Sequence, residues 1–243
     1  MKIHPLAMKV ILIGAVIGLL MIGIALITEL VNEREGRFRE AAEDIGSTWG
    51  HPQTVAGPYI RLPLRSVVTE NGKSEQRHLI MLPESLMCAM KTQTEERHRG
   101  IYSVQLYSTA LNANGNFVMP DLTSLGIDSS SVLWDQATVE FSLSDTRGIP
   151  TPLSIEWNGI QHEMHPSSES AITSDVVSKN GTMREEHVIS ARIIIDPNTK
   201  AGNALSTYSI GFSLHGSESI HVVPLGKTTT LKATSTWPHP SFV

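Results

Sequence analysis

A single cysteine, Cys88, stands among 243 residues, so no intramolecular disulfide can form and the fold must rest on its hydrophobic core. Aromatic residues make up 5% of the chain, too few for a base-stacking platform. Lysine and arginine number 19 against 24 acidic residues, for a formal net charge of -5. That balance lacks the basic surface a nucleic-acid partner requires, and none is expected. Sequence signatures of catalysis are missing as well. There is no Cys-x-x-Cys or His-Glu-x-x-His pattern, no Gly-x-Ser-x-Gly elbow, no phosphate loop and no dinucleotide fingerprint.

The most telling absence is of polar residues between Val10 and Ile27. As a helix this run covers about 27 Å, close to the roughly 30 Å hydrocarbon core of a bilayer. A buried core helix would carry a polar stripe. A signal peptide has a shorter apolar region and a small-x-small cleavage site, which Ile24-Ala25-Leu26-Ile27-Thr28-Glu29 does not offer. The run therefore predicts an uncleaved transmembrane helix over 10–30. Lys2 and Lys9 precede it and Arg34, Arg37 and Arg39 follow, so the charge count is nearly balanced. The short basic 1–9 segment fits the cytoplasm, and a large domain translocates largely regardless of charge.

Residues 31–46 predict a helical stalk. Val31, Phe38, Ala41, Ala42 and Ile45 fall near helical spacing on one side, and Glu33 with Arg37 and Glu35 with Arg39 are acid-first i,i+4 pairs. Gly46 is the expected stop. The Phe38 side either leans on the chain's own domain or meets a partner helix.

From Val55 onward the period becomes two. Val139, Phe141 and Leu143, then Leu153, Ile155 and Trp157, then Tyr208, Ile210, Phe212 and Leu214 alternate with polar neighbours. That is the mark of half-buried antiparallel strands. Ile193-Ile194-Ile195 suggests a more central strand. Asn71-Gly72, Asn114-Gly115, Asn158-Gly159 and Asn180-Gly181 are hairpin signals, the third being the strongest. Pro166 to Ser174 reads as a surface loop. The expectation is a mainly β fold: an antiparallel, sandwich-like extracytoplasmic domain over 47–243 behind one membrane helix and its stalk.

Candidates for chemistry are thin. His162 and His165 are three apart and face opposite ways on a strand, so neither metal nor cofactor is expected. Cys88 has apolar neighbours, which favours an inert buried thiol over a nucleophile paired with His98. Asp145-Thr146-Arg147-Gly148-Ile149 directly follows a strand and reads as a structural turn.

Five phrases carry a resemblance. They are Gly57-Pro58-Tyr59-Ile60-Arg61-Leu62-Pro63, Leu82-Pro83-Glu84-Ser85-Leu86, Glu96-Arg97-His98-Arg99-Gly100-Ile101-Tyr102, Asp145-Thr146-Arg147-Gly148-Ile149 and Ser235-Thr236-Trp237-Pro238-His239-Pro240-Ser241-Phe242. In order, behind a membrane span, they resemble the CreD family of cell-envelope integrity inner-membrane proteins. The resemblance runs the length of the chain. It implies a Gram-negative inner-membrane protein with a large periplasmic domain and further spans after it, linked to colicin tolerance and the β-lactam response. It implies no enzymatic activity and no catalytic residues. A chain of this length then corresponds to the N-terminal half, with its last strand, Thr228 to Ser235, lacking a sheet partner.

The structural or docking motifs singled out are Gly57, Pro58, Pro63, Pro83, Glu84, Asp145, Arg147, Gly148, Trp237, Pro238, His239 and Pro240. Trp237 is expected in the core, with docking as the alternative. The expected partners are the lipid bilayer, envelope proteins or peptidoglycan, and the C-terminal transmembrane half of family members. Two other readings stand beside the non-enzymatic one. The first is a membrane-anchored sensory or ligand-binding module. The second is an envelope hydrolase assembled from Glu84, Asp145, Arg147 and His239.

Overall fold

The apolar run has no polar stripe, and no part of it is buried against the described residues. The computed structural model describes residues 5–68, 74–75, 77–146, 149, 153–167, 187–237 and 241. In it, α1 (Pro5–Trp49) is one helix of 45 residues. Its apolar part stands clear of the protein, with Leu19 72% exposed and Ile24 65%. By length and composition it is able to cross a membrane. The paired charges come just after: Arg37 bonds Glu33 at 2.6 Å, and Arg39 pairs with Glu35.

The β domain follows. Its first strands are β1 (Gln53–Pro63), β2 (Val67–Val68), β3 (Ser74–Glu75), β4 (His78–Met81), β5 (Ser85–Arg99) and β6 (Tyr102–Val118). Then come β7 (Thr138–Leu143), β8 (Leu153–Trp157), β9 (Ile160–Ser167) and β10 (His187–Arg192). β11 (Ala204–Ser217), β12 (Ile220–Val223) and β13 (Thr228–Ser235) complete it. Eleven of these form one sheet in the order β12-β1-β7-β10-β9-β8-β11-β6-β5-β13, with β4 also on β1. Pairing is antiparallel except at β1 with β12 and β5 with β13. β2 and β3 form a separate small pair.

Apart from the end of α1, no helix packs on this sheet among the described residues, yet one face of most strands is buried. The sheet solves this by curling until its two halves face each other. Phe141 of β7 meets Phe212 of β11 edge-on at 6.2 Å, although three strands separate them in the sheet. The corner is β9. Its first residues pair with β8 and its last, from His165 to Ser167, with β10. The facing halves enclose one core, including Ile60, Leu62, Leu111, Phe117, Phe141, Ile155 and Leu214. The packing is that of a sandwich whose two layers belong to one continuous sheet.

Local signals explain the elements, with some corrections. Asn158 and Gly159 take φ of 50° and 80° and turn β8 into β9, as a type I′ turn requires. Gly100, with φ 61°, opens the two-residue turn between β5 and β6. Asn114-Gly115 is no turn but lies inside β6. A Cβ on Gly115 would collide with the Ser85 carbonyl and come within 2.7 Å of the Tyr208 hydroxyl, so glycine there permits close strand approach. The helix runs past Gly46 to Trp49 and ends at Gly50, whose φ is 135°. Ile193-Ile194-Ile195 is not a strand. The β7 ladder runs out at Thr138 opposite Arg192, and Ile194 is then 85% exposed between buried Ile193 and Ile195. Pro166 and Ser167 close β9 rather than opening a loop. Asn71-Gly72, Asn180-Gly181 and most of the serine-rich loop lie outside the described residues.

Candidate functional site at the helix–sheet junction

Of the motifs singled out, most hold strands in place. Gly57 and Pro58 form a bulge in β1, where the register with β7 shifts between Ala56 and Tyr59. A Cβ on Gly57 would lie 2.7 Å from the Phe141 ring. The bulge sets Ile60 and Leu62 into the core, and turns Arg61 to the opposite face. There Arg61 Nε meets the fully buried Glu140 at 2.6 Å, and Thr138 donates to the same carboxylate oxygen at 2.8 Å. Pro63 ends β1 opposite His78. Pro83 and Glu84 lead into β5; their carbonyls accept from Lys227 and Thr228, and Glu84 pairs with the Lys227 ammonium at 2.8 Å.

Asp145 does something else. Its buried carboxylate grips the base of α1. Oδ2 accepts from the His51 main-chain N–H at 3.2 Å and lies 2.9 Å from His51 Nδ1. The other ring nitrogen, Nε2, lies 2.9 Å from Glu43, one helical stretch earlier in α1. A neutral imidazole has one donor and one acceptor. Each ring nitrogen thus faces one carboxylate oxygen, Nδ1 that of Asp145 and Nε2 that of Glu43. Gln53, also buried, ties the same spot to the Asp145 and His215 carbonyls at 3.1 and 3.2 Å.

Around this clasp the end of α1 lies against the sheet. The Trp49 indole packs on His215 with ring centres 4.8 Å apart, and its Nε1 donates to the Tyr107 carbonyl at 3.2 Å. Arg97 covers the indole at 4.9 Å. Arg99 pairs with Asp44, and Phe38 meets Tyr102 at 6.2 Å. Ala41 is buried at 7%. The Phe38 side of the stalk thus leans on its own domain. Burial pushes the Tyr107 phenol above its ordinary range, and its hydroxyl donates to the Ser219 carbonyl at 2.7 Å. Two of the five family phrases converge here: the β5–β6 hairpin tip, Glu96 to Tyr102, and Asp145.

Glu84 and Asp145, the two hydrolase suspects within the described residues, are not brought together. Glu84 sits by Asn116 and Asp145 by the β11 end that Tyr107 borders, nine residues apart along β6 and therefore about 30 Å. Arg147 and His239 lie outside the described residues, as do Gly148, Pro238 and Pro240. Cys88 and His98 are ten residues apart on β5, about 33 Å; burial raises the Cys88 thiol. Among the described residues no group of three metal-ligating side chains occurs. Trp237 is half-buried beyond the edge strand β13 rather than in the core. The partners that sequence did not single out are His51, Trp49 and Gln53. The one available signal was Trp49-Gly50-His51-Pro52, a helix stop flanked by large polar-tipped rings.

Fold and junction together define a membrane-helix protein whose β domain is fixed directly to the helix. The family described as Inner membrane protein CreD matches residues 5–243, and the chain belongs to that family. It is 29% identical over 241 residues to the Inner membrane protein CreD of Escherichia coli (strain K12), covering 96% of this chain and 49% of that protein. The chain thus spans about half the length of the curated relative it matches. No solved structure matches it.

Proposed function

We propose that this chain is a non-enzymatic inner-membrane protein that holds its β domain in the periplasm and contributes there to envelope integrity, in the setting of colicin tolerance and β-lactam stress. The observation that carries this reading is the junction. Phe38 lies eleven residues past Ile27, so the domain engages the helix about 17 Å beyond the apolar run. Charge-assisted bonds and ring contacts then fix it to the stalk instead of leaving it on a flexible linker. Such a build suits a domain held at a set height above the bilayer, where it presents its surface to envelope proteins or peptidoglycan.

The absence of enzymatic activity is part of the proposal. Acid–histidine pairs serve catalysis when the second ring nitrogen faces a nucleophile. Here that nitrogen faces Glu43, on the helix itself.

Paired fusions at the C-terminus of the chain test the placement. One carries alkaline phosphatase, the other a fluorescent protein that matures only in the cytoplasm. Phosphatase activity without fluorescence is expected. Fluorescence without phosphatase activity would overturn the periplasmic placement and the envelope-facing role with it.

A further inference from the structure

Among the described residues β13 has a ladder on one side only, with β5. In the parallel pairing with β5, Thr228 donates to Glu84 and Thr236 to Thr92. The period of two assigns the even-numbered residues between them to the β5 ladder as well. The N–H and C=O groups of Thr229, Leu231, Ala233 and Ser235 therefore point outward, and among the described residues no strand meets them. Their side chains share the face of Leu86, Cys88 and Met90, which is the core face. Leu231 is nevertheless 50% exposed. The core face runs to an edge that leaves a leucine uncovered.

Edges of this kind are normally blunted by proline, bulges or several charges. β13 has none of these except Lys232, and four of its eight residues are the strand-favouring threonine. We infer that β13 pairs antiparallel with β13 of a second copy of this chain, about a two-fold axis at Leu231. That register sets Leu231 against its own copy and Thr229 against Ala233, so the outward groups of all three residues are satisfied. It sets Lys232 opposite Thr230. Of the two adjacent residue-centred registers, the one on Lys232 would place two ammonium groups face to face, and the one on Thr230 would set Leu231 against Thr229 instead of against its own copy. Copies anchored in one bilayer meet at high effective concentration, so a short edge suffices. The helix favours the same partner. Gly14 and Gly18 stand four apart in the apolar run, a Cβ on either meets nothing within 4 Å, and that spacing lets two membrane helices approach.

Cysteine crosslinking of the intact chain in lipid nanodiscs is the test. The parent chain, whose only thiol is buried Cys88, is the blank. Leu231→Cys is expected to form a disulfide-linked dimer about tenfold faster than Lys232→Cys, because only the first sits on the axis within disulfide reach. Ala233→Pro in the Leu231→Cys background should abolish crosslinking while the strand circular dichroism is kept, because the Ala233 N–H faces outward and serves no bond among the described residues. Equal crosslinking at 231 and 232 would overturn the proposal. So would crosslinking unaffected by the proline, or a single copy per particle with the Leu231 amide protected from hydrogen exchange by another segment.

Discussion

Asp145→Asn isolates the contribution of charge at the clasp. The carboxylate is 5% exposed and takes two bonds from His51, at 3.2 and 2.9 Å. Asparagine keeps the size but not the charge. Hydrogen bonds to charged groups are worth about 1.5–3 kcal/mol against about 0.5–1.5 for neutral ones, so the loss is about 1–2 kcal/mol. For a domain of this size, 1 kcal/mol moves Tm by roughly 2–4 °C, which makes the expected fall about 4 °C. Asp145→Ala also strips the His51 donors of their acceptor in a buried place and should cost about 3 kcal/mol or more. Glu43→Gln is the internal control. It removes the other carboxylate on the same ring, but Glu43 is 71% exposed. Its pairing is worth at most about 0.5 kcal/mol after solvent screening. Thermal melts followed by strand circular dichroism in detergent read all three. A His51→Ala, Asp145→Ala double-mutant cycle should return a coupling of about 1–2 kcal/mol. Equal shifts for Asp145→Asn and Glu43→Gln, or no coupling in the cycle, would refute the claim that burial at this clasp fixes domain to helix.

Two further predictions rest on the sheet itself. Gly115→Ala should destabilise by about 3 kcal/mol or prevent folding, since its methyl meets backbone and the Tyr208 hydroxyl where β5, β6 and β11 press together; urea titration of the variant checks this. Stability should also fall as pH rises through about 9 to 10. Burial raises the Cys88 thiol above its ordinary 9.0 and the Tyr107 and Tyr208 phenols above their ordinary 10.0, with the nearby Cys88 charge raising Tyr208 further. The unfolded chain sheds those protons first, so it gains as pH climbs. Urea midpoints at pH 7 and pH 10 measure the loss, and Tyr208→Phe should reduce it.

Much of the architecture was legible in the sequence because it is written in local patterns. The apolar run from Val10 to Ile27 needs only its own residues to specify a helix in lipid. The alternation in β7, β8 and β11 follows from a period of two. Asn158-Gly159 carries its own turn. Where the same signals failed, a distant residue decided. Asn114-Gly115 has the composition of a turn, but its glycine serves the approach of the Ser85 backbone, 30 residues earlier. Ile193 to Ile195 has the composition of a central strand, but the neighbouring ladder had already ended at Thr138. Gly46 has the composition of a helix stop, but the Cβ it lacks would crowd the His51 ring at 3.2 Å, and the true stop is Gly50, held against the His215 carbonyl.

The junction shows the same division. Sequence marked Asp145 as a turn residue and Phe38 as part of a face, each from its immediate neighbours. It had no means to pair Asp145 with His51, 94 positions away, or Trp49 with Arg97 and His215. By itself the sequence determined an apolar anchor, a charged stalk and a β-rich remainder, since each depends on hydrophobic period alone. The tertiary structure decided that the sheet curls onto itself, that β13 lies at its edge among the described residues and that the helix is clasped to it. Those outcomes follow from which buried faces and unpaired polar groups meet across the chain, and no local pattern records them.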